Sequence, residues 1–301
     1  MDESARRSEL WTRVAHLPLF AGLDRPTLAR VAEELEWIAL PGGAELFQEN
    51  DPPDAVYVLL AGCLGAFRRE ADRLQLIGRI APGETVGEMA LLSGHRRTAT
   101  VRALRDSEVV RFSLGAFERL ARVHPEAMLA IARVAVERLE RTLEGRQETP
   151  PPRTLTLLPA HAGVDLEGLI ESLGEALGRF GEVAAVGAAA YAQAPIETLH
   201  AVEAQHRYVL YVGSASDGAW NERCRRQADC LLWVADATQA PEQITAPQAT
   251  LDAHQSSALA LLQPGRILPG AARSWRRRLG LQQHFHLRDN ADIERLARRL
   301  A

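Results

Sequence analysis

The spacing of apolar positions changes three times along the chain. Residues 8–37 follow helical spacing. "SELWTRVAHLPLFAGL" runs to a break at Gly22, and "DRPTLARVAEELEWI" restarts with Asp24 as N-cap and Pro26 in the first turn. From 38 to 112 the period falls to two, as in Val56, Val58 and Leu60, and in Leu74, Leu76 and Gly78. Turn signals punctuate this region: "PGG" at 41–43, "ENDPPD" at 49–54, "AG" at 61–62 and "APGE" at 81–84. Many short strands at this spacing predict an antiparallel β barrel or jelly roll with flanking helices. Residues 115–144 return to helix, Pro125 opening a long one with Met128, Ile131, Ala135, Leu139 and Leu143 on one face.

"RQETPPPRT" then sets three consecutive prolines after polar residues, a stiff extended linker. The expected organisation is a first domain at 1–147, a linker at 148–153 and a second domain at 154–301. Beyond the linker the apolar runs are continuous. "RTLTLLPA" (153–160), "HRYVLYVGS" (206–214), "CLLWVADAT" (230–238) and "SALALLQPG" (257–265) read as buried strands. Helical segments alternate with them at 165–181 and 219–229, and another closes the chain in "DNADIERLARRLA". This predicts an α/β domain with a mostly parallel, Rossmann-like sheet. Repeats and low-complexity tracts are absent from the sequence.

Length supports the division, since 301 residues make roughly two domains of about 100–200 each. A net charge of −4 argues against a chain whose main work is gripping DNA. All 35 basic residues are arginine, which excludes chemistry that needs a lysine. Cys63, Cys224 and Cys230 form no CxxC pair, so neither a disulfide framework nor a zinc site is expected. "MDESARRSELW" has no signal core, and no apolar run approaches the length of a membrane span. The expectation is a cytoplasmic protein, at most peripheral to a membrane.

One stretch fits neither a strand nor a long helix: "TVGEMALLSGHRRTATVRA", residues 85–103. It supplies what a cyclic phosphate ester needs. An arginine fork suits two phosphate oxygens. Backbone N–H groups of the short turn "EMALL" can be aimed at the same anion. The Glu88 carboxylate can accept from a ribose hydroxyl. The segment resembles the phosphate-binding cassette of cyclic-nucleotide-binding domains, the module of catabolite activator proteins, cyclic-nucleotide-dependent kinases and gated channels. Residues 15–145 carry the likeness, with Gly87-Glu88-Met89-Ala90-Leu91-Leu92 and Arg97-Thr98-Ala99-Thr100 in the motif positions. "GAELFQENDPPDAVYVLLAGCLGAF" resembles the family's preceding strands, with Asn50 where a glycine is usual. The resemblance implies that Glu88 takes the ribose 2′-hydroxyl and Arg97 the cyclic phosphate. Gly87, Met89, Ala90, Thr98 and Ala99 complete the site, and Arg96 is solvated. The ligand is cAMP or cGMP, which the residue after the arginine does not separate, and no other cofactor is implied. Helix 125–143 is expected to close over the base or to pair two chains as a homodimer.

Other chemistry falls away in the second half. A P-loop needs a lysine, and no G-x-G-x-x-G follows a strand. "GSASDG" is no serine elbow, because neither Ser214 nor Ser216 has a glycine two residues on. His284 and His286 lack a third metal ligand, Cys224 and Cys230 read as packing residues, and "RSWRRRLG" reads as a solvated helix face. "VLYVGSASDGAWNERCRRQADCLLWVADAT" and "HFHLRDNADIERLARRLA" are similar to the region that precedes the catalytic domain in bacterial neuropathy-target-esterase-like, patatin-type phospholipases. The likeness implies a regulatory region without catalytic residues of its own, acting allosterically on a patatin-type serine esterase domain in cis or in trans. The chain stops at Ala301, where that family's oxyanion loop would begin. Two alternatives remain: a catabolite-activator-type regulator, which would need a helix-turn-helix after the long helix, and a barrel that only positions a lipase.

Overall fold

Asp24 Oδ1 accepts from Thr27 N at 3.0 Å and caps the Arg25–Glu33 helix, as the sequence predicts. That helix ends before "LEWIAL", whose first three residues fall within the predicted helical stretch. Leu35–Leu40 is instead strand β1, paired antiparallel from Leu35↔Phe112 to Leu40↔Ser107. A full ladder with a partner some seventy residues away outweighs the local helical preference, as tertiary context commonly does.

This computed structural model describes residues 24–70, 73–123, 125–143, 152–241, 255–263 and 266–301. The helix expected at 8–22 and most of the linker lie outside them. The chain divides into two compact units, one within 1–148 and one within 149–301.

In the first unit β2 (Glu45–Phe47), β3 (Ala55–Ala61), β4 (Leu64–Glu70), β5 (Arg73–Ile80), β6 (Thr85–Val86), β7 (Thr100–Ala103) and β8 (Ser107–Ser113) follow β1. They form two antiparallel sheets, ordered β1-β8-β3-β6 and β2-β7-β4-β5. Strand β3 is buried on both faces. Ala55, Tyr57 and Leu59 meet Leu64, Ile80 and Val101 between the sheets. Val56 and Val58, pointing the other way, meet Ala116, Phe117 and Leu120 of the Leu114–Val123 helix. The Pro125–Leu143 helix follows. Met128 packs on the same cluster and Ala135 is buried, while Leu129 and Val136, seven residues apart, are 60% and 54% exposed.

The second unit is one parallel sheet of β9 (Thr154–Pro159), β10 (Val183–Gly187), β11 (Tyr208–Val212), β12 (Cys230–Asp236), β13 (Ser256–Leu262) and β14 (Gln283–Leu287). Its spatial order is β10-β11-β9-β12-β13-β14. The expected parallel α/β sheet is present, and counted within the unit its order is 2-3-1-4-5-6. The dinucleotide fold runs 3-2-1-4-5-6, and here the second and third strands are exchanged. The Leu166–Gly178 and Asn290–Leu300 helices cover one face through Leu169, Leu173, Leu177, Leu296 and Leu300. Trp220 and Trp275 anchor helices Gly218–Gln227 and Ala271–Leu279 in the clusters of the other face. Cys224 and Cys230 are buried packing residues, and burial pushes the Cys224 thiol up to about 12.

Candidate functional site

The cassette lies between β6 and β7. Gly87, at φ 89°, turns the chain out of β6 into the Glu88–Ser93 helix, and Gly94, at φ 68°, ends it. Both angles lie in the left-handed region that glycine enters without a Cβ penalty. Glu88 is fully buried and Ala90 nearly so, whereas Met89 is half-buried. Past the turn, Arg97 and Ala99 point inward, and Arg96 and Thr98 are exposed.

Backbone pairing sets this alternation. Arg97 N donates to Asp51 O and Asn50 N donates to Arg97 O, each at 2.9 Å. Asn50 has φ 72°, so it adopts the conformation that a glycine takes at this turn in the resembled family. On the outside, Arg96 Nη1 donates to Asn50 O at 2.8 Å.

Arg97 is the buried member of the arginine pair. It is 2% exposed and held on three sides. Nη1 donates to Gly87 O at 2.9 Å, and Nη2 donates to Asp54 Oδ1 at 2.9 Å and to Ala55 O at 2.8 Å. Its guanidinium carbon lies 4.3 Å from the centroid of the Phe47 ring, a cation–π contact. Nε is buried without a hydrogen-bond partner. A guanidinium in low dielectric with one donor unused is a strong demand for an acceptor.

Asp54 links this buried cation to the surface. Its Oδ2 accepts from Arg111 Nη2 at 3.0 Å, and Arg111 Nη1 donates to Glu36 Oε2 at 3.0 Å. Partial burial pushes the Asp54 carboxyl up, but the hydrogen bonds from Arg111 and then Arg97 outweigh it and leave the group below its ordinary range. Tyr57 is pushed up, by burial first and by the Asp54 charge second. Of the cassette residues, Gly87 and Arg97 touch directly, and Glu88, Ala90 and Ala99 are each buried. The structure also adds Asp54, Ala55 and Phe47, which spacing within the cassette alone does not reveal.

The second unit has a strand–loop–helix in the place of a P-loop, β9 followed by 160–165 and the Leu166–Gly178 helix. Asp165 stands at its N-cap and accepts from Gly168 N at 3.0 Å. A carboxylate thus occupies the helix terminus where a nucleotide phosphate would need a cation and free N–H groups. Asp229, of "RQAD", fixes the start of β9: Oδ2 accepts from Arg153 N at 2.9 Å and Thr154 N at 3.1 Å. His284 and His286 have ring centroids 5.0 Å apart, and among the described residues no group of three potential ligands gathers for a metal.

Two family models match the chain. One, described as cyclic nucleotide-binding domain, covers residues 37–124, and one, described as Neuropathy Target Esterase family P-loop like domain, covers 152–301. The chain is similar to lysophospholipase NTE1 of Coccidioides immitis, 28% identical over 69% of this chain and 15% of that protein. To lysophospholipase nte1 of Neurospora crassa it is 28% identical over 84% of this chain and 19% of that one. It therefore spans less than a fifth of the length of these relatives, which are fungal. Similar solved structures include the Thermus thermophilus catabolite activator protein, with 24% identity, TM-score 0.38, and 53% and 67% of the two chains covered. A cyclic nucleotide-binding domain from Methylobacillus flagellatus has 19% identity and TM-score 0.40, with 47% and 83% covered.

Proposed function

We propose, for a chain that joins a cyclic nucleotide-binding domain to the P-loop like domain of the Neuropathy Target Esterase family, that the first unit senses cAMP or cGMP on behalf of a lipid esterase. Arg97 takes the cyclic phosphate, with N–H groups at the start of the Glu88–Ser93 helix beside it. Glu88 accepts from the ribose 2′-hydroxyl. Gly87, Met89, Ala90, Thr98 and Ala99 form the rest of the site. The observation that carries this reading is Arg97 itself, a guanidinium 2% exposed whose Nε has no partner. Its Nη1 bond to Gly87 O is the contact an incoming phosphate would replace.

The regulated partner is a patatin-type catalytic domain, in cis or in trans. Support comes from the lysophospholipase names of the relatives and from the second unit's family. A six-stranded α/β unit stands where a catabolite-activator-type regulator would carry a helix-turn-helix. The 125–143 helix is the proposed homodimer contact, supported by the exposure of Leu129 and Val136 on it. Calorimetric titration of the chain with cAMP and cGMP tests the ligand. Binding of either in the micromolar range supports the reading, and no heat with either at millimolar concentration overturns it.

A further inference from the structure

Residues 253–288 contain no aspartate or glutamate, in a chain with 39 acids against 35 bases. Arg266, Arg273, Arg276, Arg277, Arg278 and Arg288 fall inside this span, and of these Arg288 pairs with Asp292 beyond it. The Ala271–Leu279 helix turns Trp275 and Leu279 into the core, which leaves Arg273, Arg277 and Arg278 exposed. Among the described residues, none of Arg266, Arg273, Arg276 and Arg277 takes part in an ion pair. Just ahead of the helix the turn 266–270 is exposed throughout, and it presents Ile267 at 45% and Leu268 at 40% exposure. An open depression of about 770 Å³ joins turn to helix, lined by Gly270, Arg273, Arg276, Arg277, Leu281 and His284.

Two adjacent branched aliphatics in water are a cost with no return inside this unit. Guanidiniums without carboxylates call for an anion. A nucleic acid would answer the arginines and leave Ile267 and Leu268 without a complement. A surface with phosphates above and acyl chains below answers both, because apolar tips enter the acyl boundary while cationic side chains stay at headgroup level. We propose that the 266–270 turn and the exposed face of the Ala271–Leu279 helix dock the second unit on an anionic lipid surface. This role does not depend on a nucleotide in the first unit.

The test is sedimentation of the whole chain with phosphatidylcholine vesicles, with and without phosphatidylserine. Binding is expected only when phosphatidylserine is present. At about fivefold per arginine near such a surface, Arg273→Glu with Arg277→Glu should weaken it at least about 25-fold. Ile267→Ser with Leu268→Ser should weaken it roughly tenfold or more, since each buried CH₂ contributes. All four side chains lie at the surface, so both double variants should melt like the parent chain. Leu268→Trp gives a second measurement: a blue-shifted emission component on addition of the anionic vesicles. Inorganic phosphate at matched ionic strength should not release the chain. The proposal fails if anionic vesicles do not bind the chain, if neither double variant weakens binding, or if Leu268→Trp shows no shift. It fails equally if phosphate alone or a single-stranded RNA competes the chain off the vesicles.

Discussion

Gly87 and Arg97 share one space. A Cβ built on Gly87 would collide with Arg97 Nη1, the same nitrogen that donates to Gly87 O. Gly87→Ala therefore meets two penalties, a left-handed φ of 89° and a displaced buried guanidinium. Together these should cost the first unit about 2–4 kcal/mol. Thermal melting followed by circular dichroism reads it, and a variant melting with the parent would contradict the geometry.

Arg97→Ala should cost about 2–4 kcal/mol of nucleotide binding, roughly 30- to 1000-fold in affinity. Arg97→Lys should restore little, because an ammonium cannot reproduce the fork. Arg96 is exposed and donates to Asn50 O, so Arg96→Ala should cost under about 1 kcal/mol. Glu88→Gln should fall between. Calorimetry on the four variants checks the order. Equal losses at positions 96 and 97 would place the phosphate elsewhere.

Asp54 predicts an acid dependence. Its carboxyl sits below the ordinary aspartate value of 3.8 in the folded chain. A depressed acid stabilises the fold above the unfolded pKa, and that contribution is lost as pH falls through the folded one. The side chain is 54% exposed, so the effect should stay below about 1 kcal/mol. Urea melts of the parent chain and Asp54→Asn should differ by a constant amount above about pH 5, and the gap should shrink as acid protonates the folded carboxyl. A gap that widens on acidification would reverse the assigned sign.

Asp229→Ala should destabilise the second unit by about 2–4 kcal/mol, because Arg153 N and Thr154 N lose their acceptor together. Asp229→Asn keeps an acceptor oxygen and should lose less than half of that. Denaturant unfolding monitored by tryptophan fluorescence separates the two variants. If the alanine variant is no weaker than the asparagine one, the clamp is not stabilising.

The cassette was legible because a glycine, an acid and an arginine stand at fixed spacing within one short segment. Asn50 was legible as well, since a residue in a glycine's place must tolerate positive φ. The partners of Arg97 were less legible, because Asp54 and Ala55 lie 43 and 42 residues away in sequence. Strand β1 was misread because "EELEW" has helical composition and its reason to be a strand is β8. The alanine-rich segment 183–205 contains strand β10 and two helices that the reading passed over, since alanine carries no amphipathic period. Ile267 and Leu268 lie in a proline-flanked turn, where periodicity says nothing about burial.

Strand β9 is the first strand of its sheet to be synthesised and lies in the middle of it, between β11 and β12. Neither neighbour exists until about fifty residues after Pro159 have been added, which at roughly 5–20 residues per second takes about 3–10 seconds. During that interval "TLTLL" is an uncharged, β-prone segment with no ladder partner, the kind that pairs with other chains. The first unit has by then received β8, its last strand. The nascent chain thus carries one folded domain and one sticky strand at the same moment, and the Asp229 clamp that fixes the start of that strand is made only with the arrival of β12.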